Sequence, residues 1–582
     1  MGLAFAPQAA AEEQRVVLAW LPSDTSVEQL AAAGFSPGVM SAGLGEVPPA
    51  QTFLDIGQGN RVFDSLYDSA LPELHGDRSR WWREVVERAE SAPAEIEPGL
   101  LRSTLEAPGV RSRFSEVRRA SLDRLLPPGG NDLLIAIASP TEMSDEPLPI
   151  GIAGRGFDGN LTSDSTRMDG YVLSTDVAPT ILAALGVEVP AAMSGQPIRS
   201  EGSVDPAAIE SLVQRMNVIS SRRGPVVGLN VVIWLAALLI VALLGRGRLA
   251  RTAVRVVGLT IVYLPLVLLL GAALEPSQTA EQLLVLFLSP LLSGLTLLLL
   301  RGYRALAVAS ALTVLAYVID VIAGSPLTSL SLLGPNPGLG VRFYGIGNEL
   351  EALLAVLVVA GTGAALTGFA RSASRRACAI AFVVVGLIAA FVFAVGRFGA
   401  DVGAAIVFPV GAAVATVAVA GRGRRTAALT VIAAPFAVLA LLALVDLVSG
   451  ANAHLTRSVL DAGGLGDLAD VAQRRLQLSA RSFGRPVLLA FLPLVAAIAV
   501  AAYVQRDRLR VWLEGAPAMR TGLLGALAAT AIGTLANDSG ALLLEIGTAY
   551  LLVFTGFVWA ESDGNSGKAP SQTKSYTSVT HT

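Results

Sequence analysis

Up to about residue 222 the chain mixes short apolar runs with charged stretches; from about Pro225 one long apolar run follows another. About twenty apolar residues span a bilayer as a helix. Eleven spans are predicted, at 225–244, 253–273, 282–300, 305–323, 348–370, 377–395, 402–420, 426–449, 486–503, 521–536 and 540–560. Alternate connections are basic. Arg246, Arg248 and Arg251 follow the first span, Arg301 and Arg304 the third, and Arg371, Arg375 and Arg376 the fifth. Arg422, Arg424 and Arg425 follow the seventh, and Arg506, Arg508, Arg510 and Arg520 the ninth. Clustered Lys and Arg mark the cytoplasmic side. The segment before the first span is therefore expected outside and the polar tail inside, with Arg222 and Arg223 as an exception to the pattern.

Ahead of the spans, Arg15–Trp20 and Asn131–Ala138 read as buried parallel strands, and Arg80–Ala89 and Phe114–Leu126 as helices. That mixture predicts an α/β domain over 14–222, one sheet with helices on both faces. Residues 1–13 read as the remnant of a secretory signal or a disordered tail, because small residues occur without a charged start or a full apolar stretch. The membrane domain is read as 225–560, followed by a disordered cytoplasmic tail at 561–582.

Composition sharpens this picture. A chain with 53% hydrophobic and 15% charged residues is not an ordinary soluble protein. A net charge of -3 gives no footing for nucleic-acid binding. The single cysteine, Cys378, excludes an intrachain disulfide, and His75, His454 and His581 are too few for a His-rich zinc site.

The stretch Gly170–Ile198, GYVLSTDVAPTILAALGVEVPAAMSGQPI, resembles the C-terminal part of the alkaline phosphatase/sulfatase superfamily through Asp176, Pro179, Thr180, Gly186, Pro190 and Gly195. The resemblance implies an alkaline-phosphatase-like α/β fold, with Asp176 expected as a helix N-cap. It also implies a lost metal centre. The first strand ends in Trp20-Leu-Pro-Ser-Asp24, without the family's Asp-Gly, and SPTEMSDEPLPIGIAG lacks its Asp-His pair. Thr162–Arg167 (TSDSTR) reads either as a capped polar turn or as an anion site using its hydroxyls and Arg167.

The unusual polar groups of the membrane half fall at one predicted level, the outer one. Gly334–Glu351 carries Arg342, Asn348, Glu349 and Glu351. Gly396–Gly403 carries Arg397 and Asp401, which share a face if helical, and Gly399 and Gly403 at small-x-x-x-small spacing. Asn537-Asp538-Ser-Gly540 precedes Glu545, while Asp320 and Asp446 lie near outer span ends. Ionised groups at mid-bilayer cost about 2.5–3.5 kcal/mol each, so such a set points to an outward polar cavity. Acid excess suits a divalent cation, a proton relay or a general base; a metal is not identified by these residues. The loop 450–485 adds His454, Arg457, Arg474, Arg475, Arg481 and Arg485, which suit an anionic partner or anionic headgroups.

R-x-x-G-x-G-N-E before a span, G-R-x-G further on and a basic outer loop resemble the O-antigen ligase/polymerase group of membrane glycosyltransferases. The RFYGIGNE stretch also resembles a group of multi-pass bacterial membrane proteins. The first resemblance implies transfer of glycans from lipid-pyrophosphate carriers. Glu349 or Asp401 would then act as base, with Arg342 and Arg397 steadying phosphate. Asn348, Glu351, Asp538, Arg457 and Arg481 would bind substrate. Three functions follow as expectations: an outer-face transferase, an ion-coupled transporter or flippase, and a non-catalytic envelope scaffold with a pseudo-phosphatase domain. The partners expected are membrane lipid and an anionic or lipid-linked envelope substrate.

Overall fold

The computed structural model describes residues 15–562, apart from 74–77, 93, 109–112, 126–131, 142, 144, 245–246, 422–423, 450–475, 478 and 485. The chain divides into two compact units, Met1–Arg222 with Pro326–Gly345, and Arg223–Ser325 with Ile346–Thr582.

The first unit runs β1 (Arg15–Leu21), α1 (Val27–Ala32), β2 (Ser36–Ser41), α2 (Pro49–Gln58), α3 (Arg78–Glu90), α4 (Leu100–Leu105) and β3 (Arg113–Val117). It continues with β4 (Leu133–Ala138), β5 (Leu148–Ala153), β6 (Asn160–Thr162), β7 (Tyr171–Leu173), α5 (Val177–Ala184), β8 (Arg199–Glu201) and α6 (Pro206–Arg222). Six strands form a mixed sheet in the order β3-β1-β4-β5-β2-β7, and β6 pairs with β8. Successive strand residues face opposite ways. Val16, Leu18 and Trp20 of β1 accordingly join one core cluster, and Ala19 and Leu21 another. The predicted parallel pair forms, with Val16 opposite Leu133. β4 reads LLIAIA and is buried throughout, as a strand covered on both faces must be.

The helix expected over Phe114–Leu126 is not there. Arg113–Val117 is strand β3, and a short 3-10 turn occupies Leu122–Arg124. β3 pairs with β1, and Phe114 packs on the core. Tertiary pairing thus overrides the local preference.

The first unit also takes in Pro326–Gly345, the stretch between the fourth and fifth apolar runs. Its Phe343 is buried among Val39, Tyr171, Ile209 and Met216.

The second unit is helical. It runs α7 (Leu229–Leu244), α8 (Arg248–Leu274), α9 (Gln278–Leu299), α10 (Tyr303–Ile322), α11 (Asn348–Phe369), α12 (Arg375–Ala394), α13 (Ala404–Ala420) and α14 (Arg424–Ser449). Then come α15 (Pro486–Val504), α16 (Arg506–Leu513), α17 (Pro517–Ala536) and α18 (Gly540–Glu561). Among the described residues eight helices are long and apolar enough to cross a membrane. Ala404–Ala420, Ala428–Ala440 and Phe491–Val504 are shorter apolar helices. The chain is therefore consistent with a multi-pass membrane protein.

Buried backbone polar groups in such helices need partners. Pro265 in α8 has no N–H for the carbonyl of Ile261. The Tyr550 hydroxyl donates to that carbonyl at 3.2 Å, and Thr313 donates to Val262 O at 3.0 Å. Arginines, among them the topology markers Arg251 and Arg304, also cap helix ends. Arg255 donates to Ala560 O at 2.6 Å and Arg251 to Ser562 O at the end of α18; Arg304 donates to Gly368 O at 2.9 Å in α11. Cations there also complement the helix dipole.

Among the described helices long and apolar enough to cross a membrane, α11 is the most enclosed, with 78% of its apolar stretch buried against 17% for α9. Small residues let its neighbours close in. A Cβ added at Gly522 of α17 would lie 3.0 Å from Gly363 Cα of α11. One added at Gly525 would lie 2.4 Å from Gly411 O of α13. Gly399 and Gly403 do not share one helix face, so the expected small-x-x-x-small contact does not form as a pair. Gly399 is pressed against the backbone of Phe393, where a Cβ would meet the carbonyl oxygen at 2.2 Å, and Gly403 faces a carboxylate.

Candidate polar site at the helix ends of the second unit

Three stretches far apart in sequence meet in the second unit. α11 starts at Asn348 behind Gly347, with Glu349 and Glu351 in its first turn. Carboxylates there face the positive end of the helix dipole. After α12 the chain does not continue as a helix. Gly399 N donates to Val392 O, Ala400 N to Val395 O and Asp401 N to Phe393 O, which fold 395–401 back on the end of α12. Arg397 and Asp401 therefore lie on a turn, the former exposed and the latter buried. Asp401 Oδ1 accepts from Gly403 N at 2.9 Å, an Asx-type turn that starts α13. The third stretch is the turn between α17 and α18, Asn537–Gly540.

These stretches are stitched together by side chains. Asn537 Nδ2 donates to Glu351 Oε2 at 2.6 Å, and Asn537 Oδ1 accepts from Ser539 N at 3.1 Å. The fully buried Glu351 carboxylate also lies against Gly403, where an added Cβ would come within 2.6 and 2.7 Å of its two oxygens. Asn348 Nδ2 donates to Asp538 Oδ1 at 3.2 Å. Ile346 N donates to Gly399 O at 3.2 Å, tying the start of α11 to the turn that carries Arg397.

The site thus has two layers. Glu351, Asp401 and Asn537 are buried and hold the three backbones in place. Asn348, Glu349, Arg397 and Asp538 reach the surface to differing degrees. Glu349 pairs with Arg223 at 3.4 Å, the side chains being 24% and 33% exposed. Arg223 was the exception to the charge pattern, and its partner accounts for its position. That misplaced sign was the available signal for it.

Other expected residues fall elsewhere. Arg481 is exposed on the 476–484 stretch, where Ser479 donates to Thr534 O at 2.6 Å and Ser482 accepts from Ala541 N at 3.0 Å. That stretch therefore packs on the α17–α18 turn. Arg342 lies in Pro326–Gly345, within the first unit. Arg457, His454, Arg474, Arg475, Arg485 and His75 lie outside the described residues, as does the side chain of Asp446. Asp320 is buried near the end of α10, and Glu545 lies within α18. Glu281, fully buried in the first turn of α9, has no counterpart in the sequence reading, because it stands just before the apolar run. Among the described residues no group of three or more His, Cys, Asp or Glu is placed to hold a metal ion.

In the first unit the anion reading of TSDSTR meets a competing use of its hydroxyls. Asp176 is fully buried and accepts from Ser163 Oγ at 2.7 Å, Ser165 Oγ at 2.5 Å, Leu173 N at 3.0 Å and Gln196 N at 2.9 Å. Thr162 and Thr166 donate to Met168 O and Tyr171 O, and Arg167 stacks 4.1 Å over the ring of Tyr344. Asp176 does not cap α5 with its side chain, contrary to expectation. It ends a 3-10 turn at Ser174–Asp176, and its carboxylate turns back to staple two loops. Burial pushes that carboxyl above the usual range, against the pull of its hydrogen bonds.

No protein-family model, curated protein or solved structure matches the chain.

Proposed function

We propose that this is a multi-pass cell-envelope membrane protein whose polar site faces outward and transfers glycans from a lipid-linked, phosphate-bearing substrate. The observation that carries this reading is the convergence of α11, the 395–403 turn and the α17–α18 turn on one two-layered cluster. A buried layer that fixes geometry beneath a solvent-reaching layer of acid, amide and arginine is what positioned acid–base chemistry needs. Glu349 is the general base toward an acceptor hydroxyl, because Asp401 is buried and engaged by Gly403 N. Arg397, exposed on the turn tied to the start of α11, steadies phosphate charge, and Asn348 and Asp538 orient the glycan. Arg342 receives no role in the transfer.

The sidedness follows from the arginine-rich alternate connections, which favour eleven spans, an extracytoplasmic N-terminal unit and a cytoplasmic C-terminus. The first unit is then an envelope-binding module, a degenerate relative of the alkaline phosphatase/sulfatase superfamily. One observation favours a second reading, ion-coupled transport: Glu281 and Glu351 are both fully buried carboxylates in apolar helices.

The test is turnover of a polyprenyl-pyrophosphate-linked glycan by purified protein in lipid. Glu349→Gln and Arg397→Ala are each expected to lower the rate at least about a hundredfold, with thermal stability unchanged. Wild-type rates in both variants would remove the transferase reading.

A further inference from the structure

We propose that Pro326–Gly345 is a strap through which the fold of the first unit sets the conformation of the start of α11.

The strap is built into the first unit. Arg61 donates to Gly340 O at 2.8 Å, and Gly45 N donates to Leu339 O at 3.3 Å. Arg215 donates to Leu330 O at 3.0 Å, and Asn336 Nδ2 to Ser220 Oγ at 3.0 Å. Tyr171 OH donates to Pro337 O at 3.3 Å, and its ring meets that of Phe343 at 5.8 Å. Ser329 Oγ donates to Phe343 O at 2.7 Å, which closes the strap on itself. Gly340 has φ +71, and a Cβ there would lie 2.5 Å from Gly43 O, so the strap seats only with glycine at that point. A loop with this many buried anchors is part of a core and moves with it.

Immediately beyond the strap the chain enters the polar site. Ile346, the next residue, donates to Gly399 O at 3.2 Å, and Gly347 O accepts from Glu351 N at 2.9 Å. Glu349 follows four residues after Gly345. The other joint behaves alike: α6 ends at Arg222, and Arg223, the next residue, pairs with Glu349. One covalent joint thus delivers its first residue to the Gly399 carbonyl and the other to the Glu349 carboxylate. A displacement of the strap pulls on Ile346 and so on Gly399, while one of α6 pulls on Arg223. Coupling between two sites is reciprocal.

The inference does not depend on the chemistry proposed for the site, and its test reads no turnover. Amide hydrogen exchange is followed on the full chain in lipid. Gly340→Ala is expected to speed exchange in 336–345, and with it exchange at Ile346 and Glu351 by about fivefold or more, the low end of coupling between sites. Leu101→Ala, in the cluster on the other face of the sheet, is expected to soften the first unit without reaching Ile346. Tyr344→Ala, which removes the stacking partner of Arg167, serves where Gly340→Ala fails to fold, with the same expectation. Faster exchange in 336–345 with Ile346 and Glu351 at wild-type rates would overturn the proposal. So would an equal response of Ile346 to Leu101→Ala.

Discussion

Asp176→Ala should cost the first unit about 3–6 kcal/mol, enough to leave it largely unfolded at moderate denaturant. The carboxylate accepts from two hydroxyls and two main-chain N–H groups, all within the first unit. Losing one acceptor leaves a buried donor unsatisfied at about 1–3 kcal/mol each, and the hydroxyls recover part by rotating. Total stabilities of domains are about 5–15 kcal/mol, so this loss is a large share. A residue acting only as a helix N-cap would cost about 1 kcal/mol. The magnitude therefore separates the loop-stapling role from the capping role. Denaturant unfolding, read by proteolysis of the first unit in the full chain, measures it. A loss near 1 kcal/mol would show that the four hydrogen bonds are not what holds the TSDSTR turn.

Gly525→Val should prevent assembly of the helical unit. An added Cβ would approach Gly411 O at 2.4 Å, Val359 Cγ1 at 2.8 Å and Ala415 Cβ at 2.9 Å, and the first of these is backbone. Overpacking typically costs about 1–3 kcal/mol where side chains can give way, and more where only helix axes can move. Helix association in lipid depends on such close approach. Gly294→Val is the matched control, because an added Cβ at Gly294 of α9 meets nothing within 4 Å. Monodisperse yield and thermal unfolding in detergent should collapse for Gly525→Val and stay near wild type for Gly294→Val. Equal behaviour of the two would refute the proposed packing of α11, α13 and α17.

How far such features can be read from sequence depends on whether side chains or backbone carry them. Apolar runs located eight helices long and apolar enough to cross a membrane, and LLIAIA and RVVLAWL located two neighbouring strands of the sheet, because burial leaves a repeating side-chain pattern. Asn348, Glu349, Glu351, Asp401 and Asp538 stood out because charge and amide are costly beside apolar runs. Their mutual contacts were not legible, since Asn537 reaches Glu351 across 186 positions. The strap left no signal, because Arg61, Arg215 and Tyr171 grip carbonyl oxygens, which every residue has. Nor was the Tyr550 hydroxyl legible that reaches the Ile261 carbonyl left open by Pro265. Gly399 and Gly403 looked like a helix contact; their spacing says nothing of the turn that separates them.

The proposed function rests on one site, assembled from separate stretches and, under that proposal, open to the outside. Asn348→Cys and Asp538→Cys, introduced together in a Cys378→Ala chain, test this in intact cells with a membrane-impermeant bifunctional thiol reagent. The native pair is joined by a hydrogen bond of 3.2 Å, so a short cross-link between the two positions is expected from outside, without permeabilisation. Labelling of either cysteine only after the membrane is opened, or labelling of both without a cross-link, would contradict it.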